Sequence, residues 1–368
     1  MPKSALKNIH RIQTTQILIG YLLAFATLVI FMGGFLDYDF FRGPDVRSYW
    51  EDSLSWCTPF NSFHVPAYAL TIALIHSLVP QLTPVTVMMG ISLAAFLCTG
   101  IIVYRIGGNL GVSDKVRYLG ALLFALWPFV GLTEVVNARA DLLVLALFLG
   151  GICSLLRKQL NLSALLLGLA LVAHKGIWPF VLLVLAEAVL AQRIRFSTRS
   201  LLLLVFLFAP ISVLWISGAI YHDSWLWILS SNLSQEIQSN STLPVLDGLL
   251  GTFLNFTPVD LMKSAVLISV AFVAGGLAFW SWRNLKNTPY ALAISAAAAL
   301  LFLLLNQFEI WAALRFSRLL IIPIFYFVAG RPALNDLLHT RLWLFVGAVL
   351  LPLFLSQLAF GWYLTTIR

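Results

Sequence analysis

Charge is what this sequence has least of: Asp, Glu, Lys and Arg make up 10% of its 368 residues, against 60% hydrophobic residues. Soluble domains keep roughly a quarter of their residues charged, so the chain must use lipid as its solvent. No long polar stretch marks a separate soluble domain, and residues 1–368 read as a single integral-membrane domain. Cysteine is nearly absent. Cys57, Cys98 and Cys153 lack metal-ligand spacing, and the last two fall inside apolar runs, so neither a disulfide framework nor a cysteine-built metal site follows. Acids are fewer than bases, 15 against 23, for a net charge of +8. In a soluble chain that excess would suggest nucleic acid. Here the bases sit in short connectors between apolar runs, the positive-inside pattern, and no nucleic-acid partner is expected.

Apolar runs occur at 13–36, 66–79, 84–105, 117–131, 140–156, 160–174, 176–192, 199–219, 263–281, 289–306, 317–330 and 341–366. The first is long, lacks a small-residue cleavage site and follows Lys3, Lys7 and Arg11, so it reads as a retained signal anchor. The basic connectors are the N-terminus, 105–117, 157–158, 193–199, 283–286 and 331–341, which the positive-inside rule assigns to the cytoplasm. The segments 37–65, 132–141, 174–176, 220–262 and 306–316 hold nearly all the acids and alternate with the basic set, except between Pro66 and Arg105. The run 66–79 is also short for a bilayer, so it is assigned to the outer interface as a juxtamembrane helix. The expected fold is an all-α polytopic integral membrane protein of about 11 transmembrane helices. Juxtamembrane helices occupy its first outer loop, and short spans point to helices that end at an internal cavity.

Five of the fifteen acids, Asp37, Asp39, Asp45, Glu51 and Asp52, crowd into the aromatic loop that follows the first run. On the same outer side the alternation puts Glu134, Arg139 and Asp141, then His174 and Lys175, then Arg315 and Arg318. Charges that abut apolar segments are costly and are functional suspects by default. A carboxylate there can take the proton of an acceptor hydroxyl, while Arg and Lys can hold a phosphate, Arg as a bidentate fork. That combination suggests group transfer from a lipid phosphate.

These residues resemble the GT-C fold glycosyltransferases. Gly43-Pro44-Asp45-Val46-Arg47-Ser48-Tyr49, followed by His64-Val65-Pro66-Ala67-Tyr68, is similar to the first outer loop of that group. The likeness is nearest to bacterial relatives of protein O-mannosyltransferases and of the lipid A aminoarabinose transferase. Asn137-Ala138-Arg139-Ala140-Asp141 resembles the group's Arg-x-Asp helix start, Ala173-His174-Lys175-Gly176 its helix break, and Arg315-Phe316-Ser317-Arg318 the start of its Arg-Tyr-Leu-Leu-Pro-like run. The likeness covers residues 10–330 and rests on the order of motifs that are individually weak. The sequence departs from the pattern where Pro44 separates Gly43 from Asp45, in the single proline at Pro66, and where Lys175 lacks a following proline. It also lacks a large soluble C-terminal domain, which points to a compact enzyme.

The resemblance implies inverting transfer of a sugar, hexosyl or mannosyl in type, from a polyprenyl-phosphate donor to a glycan, lipid or protein acceptor at the outer face. Asp45 would be the base. Tyr49, His64, Glu134, Arg139, Asp141, Lys175, Arg315 and Arg318 would bind donor or substrate. Metal need differs among GT-C families, so a divalent cation stays open, with the Asp37 and Asp39 pair as candidate oxygen ligands. No organic cofactor is expected.

Each assignment has a plainer rival: a solvated loop acid for Asp45, a helix-end pair for Asp37 and Asp39, an interfacial role for His64. Arg139 and Asp141 could neutralise one another, Lys175 could snorkel, and Arg315 with Arg318 could meet anionic lipid. Glu51 and Asp52 read as decoration of an amphipathic helix whose Trp50, Leu54 and Trp56 dip into the interface. The segment 220–262 is a candidate cover over the cavity. Short connectors fit a bacterial inner membrane with the site on its periplasmic face. The rival functions are a lipid-linked sugar or small-molecule transporter or flippase, and a noncatalytic partner of a polysaccharide assembly complex.

Overall fold

The computed structural model describes residues 44–54, 67–127, 139–174, 177–190, 198–222 and 346–355, with isolated positions in 15–26, 134–135 and 341–344. Among the described residues all regular structure is helical. The elements are α1 (Pro44–Leu54), α2 (Ala67–Leu78), α3 (Pro84–Asn109), α4 (Asp114–Leu126), α5 (Asp141–Leu156), α6 (Leu160–Ala173), α7 (Trp178–Leu190) and α8 (Thr198–His222), with a π-helical turn at Val346–Leu350. Seven expected apolar runs from 66 to 219 thus appear as helices within a few residues of their predicted ends. The runs 263–281, 289–306 and 317–330 lie outside the described residues.

Two compact units divide these helices. The first contains nearly all of α1 and α2, with α3, α4, α5 and the π-helical turn. Its spine is α3, 26 residues long and, among the described helices, the one with both the length and the apolarity to cross a bilayer. At 1.5 Å per residue it spans about 39 Å, more than the hydrocarbon core. Its start is dictated by Thr83, whose Oγ1 accepts from the Thr86 backbone N–H at 3.3 Å, and by Pro84, whose missing N–H costs nothing at a first helical position. Its end is closed by Gly111 at φ 74°, beside which the Val112 N–H donates back to the Gly107 carbonyl at 3.2 Å.

α3 packs against both α4 and α5. α5 runs parallel to it: Ala140, at the start of α5, shares a cluster with Val87, Met88 and Ile91, whereas near the other end Asn109 Nδ2 reaches Cys153 Sγ at 3.6 Å. Parallel α3 and α5 with α4 between them agree with the expected alternation of crossings. Tyr21 belongs to the same unit; its hydroxyl donates to the Ala121 carbonyl and its ring lies 4.9 Å from that of Phe96.

The basic connector is shorter than expected. Arg105 and Arg117, the ends of the runs 84–105 and 117–131, lie within α3 and α4, Lys115 lies within α4 as well, and only residues 110–113 form the turn. The long aliphatic stems let these cations continue a helix while their charged ends reach polar surroundings. Arg117 is more tightly held: its Nε donates to the Tyr104 carbonyl at 3.1 Å, its guanidinium stacks 3.8 Å from the Tyr104 ring centre, and it pairs with Asp114.

The second unit brings α6 and α8 together. A Cβ at Gly168 would collide with the Leu207 carbonyl, so the close approach of these helices requires glycine. α6 ends at Ala173 and α7 starts at Trp178, whose Nε1 donates back to the Leu171 carbonyl at 2.8 Å. His174 thus lies at a helix end; Lys175 is outside the described residues.

Candidate functional site

The acidic outer loop contains a helix that begins with Pro44. The proline that separates Gly43 from Asp45 is thus a helix starter: its fixed φ suits the first position. Asp45 follows as the second residue, and Tyr49 comes four residues, about one turn, later. The opposite register carries Arg47 and Glu51, an exposed pair at 2.8 Å of the kind that contributes little to stability. Asp52 departs from the expected surface decoration. It is half-buried, and burial, helped by neighbouring Glu51, pushes its carboxyl up to about 6. Trp50 turns its ring edge toward His76 of α2, 5.0 Å centre to centre at 83°, so it packs on protein where lipid was expected; Leu54 stays exposed.

The face that carries Tyr49 packs inward. Tyr49 is 4% exposed, and its ring meets that of Tyr68 edge-on, at 4.9 Å and 86°, the geometry in which a positive ring edge meets a negative face. Tyr68 and Ile72 of α2 are completely buried and join Tyr49, Val87, Met88, Ile91 and Ala140 in one cluster. Four segments meet there: α1, α2, the first turns of α3, and the start of α5.

Asp141 opens α5 and is 2% exposed. A carboxylate so far from water is costly, and the helix N-terminus supplies compensating positive potential. Tyr68 lies beside Ser92 and within electrostatic reach of Asp141; burial raises its phenol well above the ordinary range, which keeps it protonated and able to donate. Ser92 is the eighth residue past Pro84, about 12 Å along α3 from its start. Ala140, at the start of the 16-residue α5, packs beside Val87, Met88 and Ile91, so α5 begins against the first turns of α3.

Glu134 is also 2% exposed, and Arg139 is half-buried immediately before Ala140. His174 sits at the α6–α7 break of the second unit, half-buried, with its backbone N–H donating to the Ala170 carbonyl at 3.3 Å. Asp37, Asp39, His64, Lys175, Arg315 and Arg318 lie outside the described residues, as does 223–262. Among the described residues no group of three His, Cys, Asp or Glu side chains could hold a metal ion.

In the first unit, the site thus combines the helix of Asp45, through Tyr49, with the segment of Arg139 and Asp141. Sequence reasoning named Tyr49, Arg139 and Asp141 as site residues, quoted Tyr68 only as part of the loop motif, and passed over Ser92. A signal for Tyr68 existed: its four-residue spacing from Ile72 puts both on one face of a short helix. Ser92, a lone hydroxyl in an apolar run, offered none.

The sequence matches the model of the family described as Glycosyltransferase family 87 over residues 63–307. The matched span contains Tyr68, Ser92, Glu134, Arg139, Asp141 and Lys175, and it leaves Asp45, Arg315 and Arg318 outside. No curated protein and no solved structure matches the chain. Two thirds of the chain falls within this one family, and its buried acids and apolar spine suit a lipid-embedded transferase. The protein belongs to glycosyltransferase family 87, a membrane family of the GT-C type.

Proposed function

We propose that the protein is an inverting, multi-pass glycosyltransferase that takes a sugar from a polyprenyl-phosphate carrier and passes it to an acceptor at the outer face of the membrane. The observation that carries this reading is Asp141 at the start of α5, buried in a chain of this family and next to Ala140, which shares one cluster with Tyr49 of the helix of Asp45. A carboxylate maintained that far from water is the kind of group that serves substrate.

Asp45 is the base. The second position of a helix favours an ionised carboxylate, which is the form a base needs at neutral pH. As the acceptor hydroxyl loses its proton to Asp45, its oxygen attacks the anomeric carbon from the face opposite the phosphate. The bond from that carbon to the phosphate oxygen breaks, and the polyprenyl phosphate leaves with the electron pair. No protein nucleophile is needed because the phosphate is a good leaving group, and a single displacement inverts the anomeric centre. Lys175, Arg315 and Arg318 hold the phosphate and neutralise the charge that develops on it. Arg139, Asp141, Glu134, Tyr49 and His64 shape the sugar and acceptor subsites. Should a divalent cation assist the phosphate, Asp37 and Asp39 are its ligands.

Purified protein in nanodiscs, offered a panel of polyprenyl-phosphate mannose, glucose and arabinose donors, should transfer one of them with inversion. Asp45→Asn should abolish transfer, at least about 100-fold, while the protein elutes and melts as wild type. Full activity in that variant would remove Asp45 from the mechanism. Transport without transfer would favour a carrier over an enzyme.

A further inference from the structure

Tyr68 stands between the two parts of the proposed site. Its ring is completely buried, its edge-to-face partner is Tyr49, four residues after Asp45 on α1, and it shares a cluster with Ala140 at the start of α5, within electrostatic reach of Asp141. The remaining members of the cluster, Ile72, Val87, Met88, Ile91 and Ala140, close around this pair, so little space is left for α1 to shift. α1 has 11 residues and its outer face is exposed at Arg47, Glu51 and Leu54. A helix this short does not hold its place by itself; its inner face must be held by what it packs against.

We propose that Tyr68 is a positioning residue, a rigid spacer whose ring sets the separation and rotation of α1, the helix that carries Asp45, relative to the Arg139–Asp141 segment. The inference rests on the reading of Asp45 as base. An aromatic ring suits this task because it fills volume with only two side-chain torsions, and the edge-to-face contact fixes orientation as well as distance. Loss of the ring would let α1 settle toward α2. A displacement near 1 Å at the base costs about 100-fold in rate and leaves donor binding, which depends on the phosphate clamp, nearly unchanged.

The experiment compares Tyr68→Ala, Tyr68→Leu, Tyr68→Phe and Ile72→Ala in nanodiscs, with the polyprenyl-phosphate sugar that the wild type uses. Ile72 belongs to the same cluster one turn further along α2, so its truncation opens a comparable cavity. Tyr68→Ala and Tyr68→Leu should lower kcat by about 100-fold and about tenfold respectively, with KM for the donor within about threefold. Tyr68→Phe, which keeps the ring, should restore kcat to within about threefold, and Ile72→Ala should lose stability but keep kcat to the same extent.

A second readout needs no substrate. Nitroxides at Arg47 and Leu82, introduced as cysteines in a cysteine-free background, report the placement of α1 by pulsed dipolar spectroscopy. Tyr68→Ala or Tyr68→Leu should shift or broaden the distance distribution, and Ile72→Ala and Tyr68→Phe should leave it as in wild type. Equal kcat losses in Tyr68→Leu and Ile72→Ala, or an unchanged distance in folded Tyr68→Leu, would overturn the positioning role. An active Asp45→Asn would instead remove the base and leave the distance result standing, so the two failures are distinguishable.

Discussion

The two ends of α3 are built on opposite principles. At the Asn109 end, charge is satisfied by neighbours: Arg117 is stacked on Tyr104, hydrogen-bonded to its carbonyl and paired with Asp114, while Tyr118 donates to Gln16 at 2.9 Å. At the Pro84 end, Tyr49 and Tyr68 pack in one cluster with Ala140 at the start of a neighbouring helix, and the next residue, Asp141, is a carboxylate with 2% exposure. The basic end is a fastener; the acidic end is where the proposed site lies. The difference teaches where function should be sought in a sequence so poor in charge: burial of an acid distinguishes the ends better than the number of charged residues, which is higher at the fastener.

The comparison fails first if Asp141 is dispensable. Asp141→Asn keeps the volume of the side chain and removes its charge, so transfer from the preferred polyprenyl-phosphate sugar should fall about 100-fold with the protein still folded. Wild-type turnover would make the two ends functionally alike. A smaller effect is expected at the fastener. Arg117→Ala loses a stacked cation, a hydrogen bond and an ion pair, and should destabilise the protein by about 1–3 kcal/mol, measured by denaturation in mixed micelles. The turnover of the folded fraction should stay within about threefold of wild type; a large drop would show that the basic end takes part in catalysis.

The smallest effect concerns Asp52, whose carboxyl rises from an ordinary 3.8 to about 6 in the folded protein. The folded state then binds a proton more tightly than the unfolded chain, so stability declines as pH rises between about 4 and about 6 and stays lowered above that. Asp52→Asn should flatten the slope in that window and raise Tm at pH 7 by about a degree or two, read from melting curves across pH. An unchanged slope would mean that the carboxyl is as well solvated as that of exposed Glu51.

The sequence disclosed what depends on order along the chain. Hydropathy located α2 to α8 within a few residues, the charge alternation agreed with the parallel course of α3 and α5, and the break at His174 was legible from two apolar runs that nearly touch. What depends on contact across the chain was hidden. The run 117–131 already included Arg117, but what the guanidinium would hold was hidden, because its partners Tyr104 and Asp114 are assembled only when α3 and α4 fold back on each other. Pro44 looked like an interruption of a motif until the helix that it starts was seen. Tyr68 was the last residue of a loop motif, and only its contact with Tyr49 and its place in the cluster set it apart. Glu51 was correctly read as surface, but its neighbour Asp52 was not, since one residue of rotation on a helix separates the exposed side from the half-buried one.

The burial of Asp141 has a consequence for ionic strength. The residue is 2% exposed, and the mobile ions that at physiological salt screen exposed charges over about 8 Å act far less effectively within a protein interior. Added salt should therefore leave the field of Asp141 nearly intact while it weakens the capture of an anionic donor from solvent. Under the proposed transfer from a lipid phosphate, salt titration of kcat and of KM would then report on different parts of the same protein: KM on the capture of that phosphate, kcat on the buried carboxylate that salt barely reaches.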